Sequence, residues 1–548
     1  MLHFTHQSKE LQTGAVLKAT RVKTIALLFM LLLLLPTLLL AKGGVNKSSL
    51  SYKAASTEPI ARAEYNKTTK VLTFLYNIPS ATEDENLTVV KFYNPSDNQK
   101  WFNGEYSVYY WTEEIKSATS VIIEESFKNY AVPTCECMFN EFNNLKSITG
   151  LEYLNTTNVK SMRQMFCFCK ALTSLDITHL KTNTVTDMRA MFHTCGVSSL
   201  DLSNFNTENV TDMALMFTNC NQLTWIDLSS FNTAKVEKMY GMFKGTGQLE
   251  HIYAKELFTT EQVTNANNMF TYCRKLPNFD PNVVDNTHAN RFKDGYFEEL
   301  VAKSGEERIG AVVDNGLTAN HLNLNDDKDL YLFNNFVAKK AAYSRTMKEG
   351  TKWATLCLPF DVSLDGQNFR AFHLLSTTED GVELKEMEKV IQAGTPAVIM
   401  MKEAETKLQF SIDNSSIISN ISPATTEDNN YKFVGIYQQK EFNKDTDGNC
   451  FIVKGNMLMN PAKLLENEKT TKVACKPFRA YFVYNSETVG AKTLNISISD
   501  KTTAIDHLDA IGDGKAEYYD LQGRRLNEPQ KGINIVKRGG KTMKVVIK

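Results

Sequence analysis

The stretch LDLSNFNTENVTDMALMFTNC, Leu200 to Cys220, decides how this chain is read. In Leu200-Asp201-Leu202 two apolar residues flank an acid, the period of a strand with one buried face. Phe205-Asn206-Thr207 reads as a loop, because Asn and Thr side chains bond nearby backbone groups. Val210-Thr211-Asp212-Met213, running on to Met216-Phe217, spaces its apolar residues by three, three and one. That spacing predicts a tight helical or irregular turn returning along the other side of a coil.

The stretch recurs. Met-Phe stands at Met138, Met165, Met191, Met216, Met242 and Met269, in steps of 27, 26, 25, 26 and 27. Six residues before five of these lies Val159, Val185, Val210, Val236 or Val263; five before each Val lies Leu154, Leu180, Phe205, Phe231 or Phe258. Four residues after Met come Cys169, Cys195, Cys220 and Cys273, with Phe142 and Thr246 as the exceptions. A fixed step of this size marks a solenoid, in which units too small to bury their own apolar face share one core. The expected core is therefore Met165, Phe166, Cys169, Met191, Phe192, Cys195, Met216, Phe217, Cys220, Met269, Phe270 and Cys273. The sulfur column reads as small buried residues. Cys135, Cys137 and Cys167 lie off it, and a disulfide among them stays open. Cys-x-Cys spacing is not a zinc pattern, so no metal is expected.

Outward from the repeats, residues 1–23 carry Lys9, Lys18, Arg21 and Lys23 against Glu10, and an uncharged apolar run follows from Thr24 to Ala41. This pattern predicts a secretory signal, with a retained membrane anchor as the alternative. The 548-residue chain is too long for one core. Its 61 basic residues balance 62 acidic ones, which leaves no electrostatic footprint for nucleic acid. After about Glu298, runs such as PAVIMM (from Pro396), YKFVGIY (from Tyr431) and FRAYFVY (from Phe478) predict short strands of a β-sandwich-like module. Asp445-Thr446-Asp447-Gly448-Asn449 reads as a hairpin turn rather than a calcium loop, and Asn325 to Asp329 as a solvated loop. No serine elbow, zinc-helix motif or phosphate loop occurs, so neither catalysis nor a cofactor is expected.

Leu200 to Cys220, with Gly150 to Val159 before it and Asp280 to Phe297 after it, resembles the repeats of BspA-like leucine-rich-repeat bacterial surface proteins. Lys352 to Val362 and Ile391 to Ile399 resemble a β-rich module of large bacterial surface proteins; Tyr518 to Lys548 resembles the C-terminal sorting domains of type IX secretion cargo. The fold so implied is an α/β leucine-rich-repeat solenoid, of short parallel strands with irregular or helical returns. A β-sandwich-like module and a C-terminal β-hairpin tail follow it. The expected parts are a signal peptide (1–41), a capping region (42–132), the solenoid (133–297), the β-rich module (298–500) and the tail (501–548). The resemblance implies an exported adhesin-like protein on the outer cell surface or secreted, binding protein or glycan ligands of host matrix or other bacteria. It would meet the secretion machinery through its tail and a membrane only through its signal or surface anchoring. A surface-layer scaffold without a specific ligand is the alternative, and an enzyme within 298–500 a lesser one. The ligand face is expected on the strand side, around Asp176, Asp201 and Asp227 with Trp225 beside them. The plainer alternative is that these carboxylates keep the face soluble or bond loop backbone.

Overall fold

The computed structural model describes residues 61–78, 85–92, 111–402, 406–455, 457–485, 493–499, 517–520, 522–538 and 541–547. The expected signal at 1–41 lies outside them. Among the described residues no helix is long and apolar enough to cross a membrane.

The chain enters the repeats through a five-stranded sheet. Its order is Leu87–Phe92, Ala61–Asn66, Val71–Tyr76, Ser120–Ile123, Ser147–Thr149. The first two joints are antiparallel and the last two parallel, so pairing is already parallel where the repeats begin. Trp111 donates from Nε1 to the Met138 carbonyl at 2.7 Å, and its ring meets Phe142 edge-on at 6.1 Å. Phe74 meets Phe139 in the same way, at 5.9 Å. These aromatics close the first coil's interior.

From there the coils stack. The rings of Phe139, Phe166, Phe192, Phe217, Phe243 and Phe270 form one column with centroids 5.5–5.7 Å apart and planes within 19°. All twelve core residues named from the sequence are buried, none more than 2% exposed. At the far end Tyr296 and Phe297 meet Phe270 edge-on at 5.1 and 5.9 Å and close the column. One apolar cluster runs from Ala61 to Phe297.

The α/β assignment is corrected: the protein is nearly all β, with 4% helix. Among the described residues of the coils there is no α-helix, only the 3-10 turn Leu151–Tyr153. In one coil the amides of Gln164, Phe166 and Phe168 donate to the carbonyls of Arg189, Met191 and His193 in the next coil, at 2.8–2.9 Å. The intervening amides of Met165 and Cys167 turn back to Met162 and Gln164. An α-helix keeps every such bond within itself; here alternate amides leave the coil. The backbone permits this because two residues four apart are left-handed in every coil: 137 and 141, 164 and 168, 190 and 194, 215 and 219, 241 and 245, 268 and 272. The apolar three-residue spacing comes from these tight turns. Regular strand is also sparse, with Trp225–Asp227 pairing in parallel with His251–Tyr253. On the return side the ladder consists of single parallel bridges, Ser161 to Asp187 to Asp212 to Lys238 to Asn265.

The sandwich is corrected as well. After Glu298 the chain builds curled and mixed sheets. A seven-stranded sheet is organised on Phe336–Thr346, which pairs in parallel with Leu317–Ala319 and Leu322–Asn325 and antiparallel with Lys407–Ile417. A ten-stranded sheet runs from Trp353–Leu356 to Ala424–Thr425 and includes a parallel joint between Gly381–Glu386 and Thr493–Ile498. Parallel joints need crossovers, so simple alternation along the sequence could not reveal them. In the tail, Glu517–Tyr519, Arg525–Leu526, Gly532–Arg538 and Lys541–Ile547 form a four-stranded sheet whose last two strands pair antiparallel as the expected hairpin. Residues 443–449 do not turn the expected hairpin, because the flanking strands Lys440–Glu441 and Cys450–Lys454 pair elsewhere. Both Asp447 oxygens are engaged there, one by the Asn443 amide at 2.7 Å and one by Lys440 at 3.1 Å.

Candidate ligand-binding face

The polar residues of each repeat act first on the backbone. Thr156, Thr182, Thr207 and Thr233 are buried at 1% exposure. Each hydroxyl donates to a carbonyl of the next coil, of Lys181, Asn206, Asn232 and Thr259, at 2.6–3.0 Å. Each also accepts the amide of that same residue, at 2.7–2.9 Å. The sulfur column does similar work. Cys169, Cys220 and Cys273 donate to the Phe139, Phe192 and Phe243 carbonyls one coil back, at 3.1, 2.9 and 3.0 Å. Thr246 stands in the column and donates to Phe217 O at 2.6 Å. All ten cysteines are free and buried, Cys135, Cys137 and Cys167 included. Burial pushes the Cys167 thiol up to about 12 and the Cys195 thiol up to about 11.

Asp176 and Asp201 are exposed and Asp227 is half-buried. Each uses Oδ1 to cap the turn that follows it. Asp176 accepts the Thr178 amide and hydroxyl at 3.1 and 2.6 Å, and Asp201 accepts those of Ser203 at 3.0 and 2.6 Å. Asp227 accepts the Ser229 amide at 2.9 Å. The Thr178 hydroxyl foremost, then its amide, holds the Asp176 carboxyl below its ordinary range. These three acids shape the backbone, as Asp does wherever its side chain can bond two residues on.

Trp225 meets a different fate. The guanidinium of Arg308, on Glu307–Val313 of the following module, lies 3.5 Å from its ring centroid. One strand along the ladder, His251 Nδ1 and Glu298 Oε2 are 2.6 Å apart, and Tyr253 bridges in parallel to Glu298. The hydrogen bond to Glu298, more than the charge, raises the His251 pKa against the opposing effect of burial. The Trp225 end of the strand side is thus where the next module docks. Thr173, Ser174 and Asp176, with Ser198, Ser199 and Asp201, remain exposed on the earlier coils.

The return side carries interleaved charge. Arg163 stands 4.0 Å from Glu136, and Lys238 stands 3.6 Å from Asp212. Burial, the largest influence, raises the Asp187 pKa, while the Arg189 amide opposes it. Among the described residues no cluster of three or more His, Cys, Asp or Glu could hold a metal ion.

Sequence reasoning missed two groups. Asp326, in the supposedly solvated run, is 7% exposed and bonded by Arg479 at 2.5 Å. Arg345 is equally buried, and its signal was present: it falls on the inward phase of Phe336–Thr346, in step with Tyr343.

Together these features define a parallel-stacked, aromatic-capped solenoid joined to a mixed-β module, with its repeat Thr and Cys columns spent on inter-coil bonding and its Asp residues on turns within each coil. Of known families, one described as a Mycoplasma protein of unknown function, DUF285, matches residues 110–224 and 197–299. No curated protein and no solved structure matches the chain.

Proposed function

We propose that this chain is an exported surface protein that binds host or bacterial macromolecules, protein or glycan, through its solenoid and does no chemistry. The observation that carries the reading is the contrast between inside and outside. The buried columns repeat from coil to coil, while a position that no coil buries changes: Glu141, Phe168, Thr194, Asn219, Gly245 and Tyr272 stand three residues after Met in successive coils. Folding is satisfied by the interior and the backbone ladders, so the exterior is free to present a patterned surface, the usual binding surface of solenoids. The raised thiols are poor nucleophiles, which fits a non-catalytic role. The likeness of the repeats to BspA-like surface proteins, and the apolar run from Thr24 to Ala41, support export and adhesion.

The binding face we propose is the undocked part of the strand side, around Asp176 and Asp201. The test is capture of purified matrix proteins, matrix glycans and neighbouring bacterial cells by the immobilised full chain, compared with the Asp176→Asn, Asp201→Asn double variant. Asn keeps the turn-capping oxygen and removes only the charge. Capture that the variant weakens is the expected result. Capture that the variant leaves unchanged moves the site to the loops after the strands, and no capture at all favours a scaffold.

A further inference from the structure

The seam between Phe336–Thr346, Trp353–Leu356 and the strand Ala480–Tyr484 encloses a cavity of about 520 Å³. Its charge is one-sided: Arg345, Lys348, Lys352, Lys454 and Arg479 line it, with Glu349 as the opposing acid. Lys348 and Lys454 are exposed at the rim, and Arg345 is 7% exposed. Arg345 is held in place from Nη1, which donates to the Thr355 carbonyl at 2.9 Å. The Thr355 hydroxyl in turn bonds Ala480 O and N at 3.1 and 2.9 Å. The wall that carries the guanidinium is thereby tied across two strands.

The charges inside do not balance. Asp326 serves both arginines: its Oδ2 accepts Arg479 Nη2 at 2.5 Å and stands 3.7 Å from Arg345 Nε, beyond hydrogen-bond reach. The Nε atoms of Arg345 and Arg479 are both buried without a hydrogen-bond acceptor. Two guanidiniums on one carboxylate leave net positive charge beside the buried Arg345, an expensive arrangement until water, at the half-buried Arg479, or an anion completes it. Burial, and then the neighbouring Arg479 charge, pull the Arg345 pKa down, although an arginine keeps its proton in proteins.

We propose that this cavity is an oxyanion-binding site, taking a small organic ligand that carries a carboxylate, sulfate or phosphate group. Arg345 and Arg479 hold the acidic group, since a planar guanidinium suits these anions. Lys348 and Lys454 draw it in from the rim, and Met347 and Trp353 supply apolar wall for the rest of the molecule. Small-ligand sites span roughly 300–1,000 Å³, so this one suits a sugar acid or a mononucleotide. The proposal does not rest on the solenoid's being an adhesive surface.

The test is calorimetric titration of the full chain, at low ionic strength, with inorganic sulfate, inorganic phosphate, glucuronate, glucosamine 6-sulfate and adenosine monophosphate. Saturable binding of at least one probe is expected, with mutual competition among those that bind. Preference for the two sugar acids assigns a saccharide source, and preference for phosphate or the nucleotide a phosphorylated one. Arg345→Lys keeps the charge and loses the fork; Lys348→Ala with Lys454→Ala changes only exposed groups. Each should weaken binding about tenfold. Lys128→Ala with Lys235→Ala, on the cap and the solenoid, should leave it unchanged. If Arg345→Lys does not fold, the rim pair still decides. No saturable heat with any probe, or equal affinity in the rim pair and the parent, would overturn the assignment.

Discussion

Thr246 explains the sulfur column. Packing alone would be served by any small apolar side chain, yet the one residue that replaces Cys inside the array is a hydroxyl, bonded as the thiols are to a carbonyl one coil back. The column therefore gives a second donor to a carbonyl that the tight turn bonds once, as Phe217 O already takes the Cys220 amide at 3.4 Å, and one such hydrogen bond is worth about 0.5–1.5 kcal/mol. Thr246→Val preserves shape and removes the donor, so it should destabilise the protein by that amount. Thr246→Cys, which restores a weaker donor, should lose less. Guanidinium unfolding of the two variants checks this, and equal stability of Thr246→Val and the parent would return the column to a purely apolar role. Phe142, the other exception, begins the array with no preceding coil and meets Trp111 instead.

Among elements, the coil turn is the one whose reading and structure part. Its apolar spacing of three, three and one is compatible with a helix, and only the left-handed positions separate the two. Those positions leave a trace, since Asn219, Gly241, Gly245 and Asn268 occupy them and Asn and Gly tolerate positive φ. The trace is incomplete because Gln164, Phe168, Ala190 and Leu215 hold the same conformation under pressure from the stack. The buried columns were legible because each recurs at a fixed phase. The Asp turns were legible as the plainer alternative, since each acid bonds an amide two residues on; the Trp225 contact was not, because its partner lies 83 residues on, at Arg308, in a strand with no repeat phase. Thr194 is the least suited occupant of a left-handed position: it is β-branched, at φ 58°, with a buried hydroxyl that bonds nothing. Thr194→Asn adopts what the next coil has at Asn219. It should stabilise the protein by about 1 kcal/mol, given the cost of left-handed backbone to ordinary residues. A rise in melting temperature is the expected observation, and a fall would mean that the methyl group's packing outweighs the strain.

For the whole molecule, the joint between solenoid and module carries a titratable contact. Glu298 raises the folded-state pKa of His251 above its unfolded value near 6.5. The His251–Glu298 contribution is therefore fully present below the unfolded pKa and is lost as pH rises through the folded one. With the His251 side chain 43% exposed, the effect is a modest one. Protease cutting at the joint near Glu298 should become easier as pH rises across that window, and His251→Gln should flatten the dependence. A parent that cuts at the same rate throughout would mean that Arg308 on Trp225 holds the joint unaided.

The aromatic plugs at the two ends of the Phe column have a further consequence. Every coil offers its successor the same alternating amides and receives the same alternating carbonyls, so a bared first coil would fit the last coil of another copy as well as its own cap. Trp111 and Phe74 at one end, and Tyr296 and Phe297 at the other, act as chain terminators. They keep a pattern suited to head-to-tail polymerisation confined to a single molecule. They also leave the number of coils between them adjustable without redesign of either end.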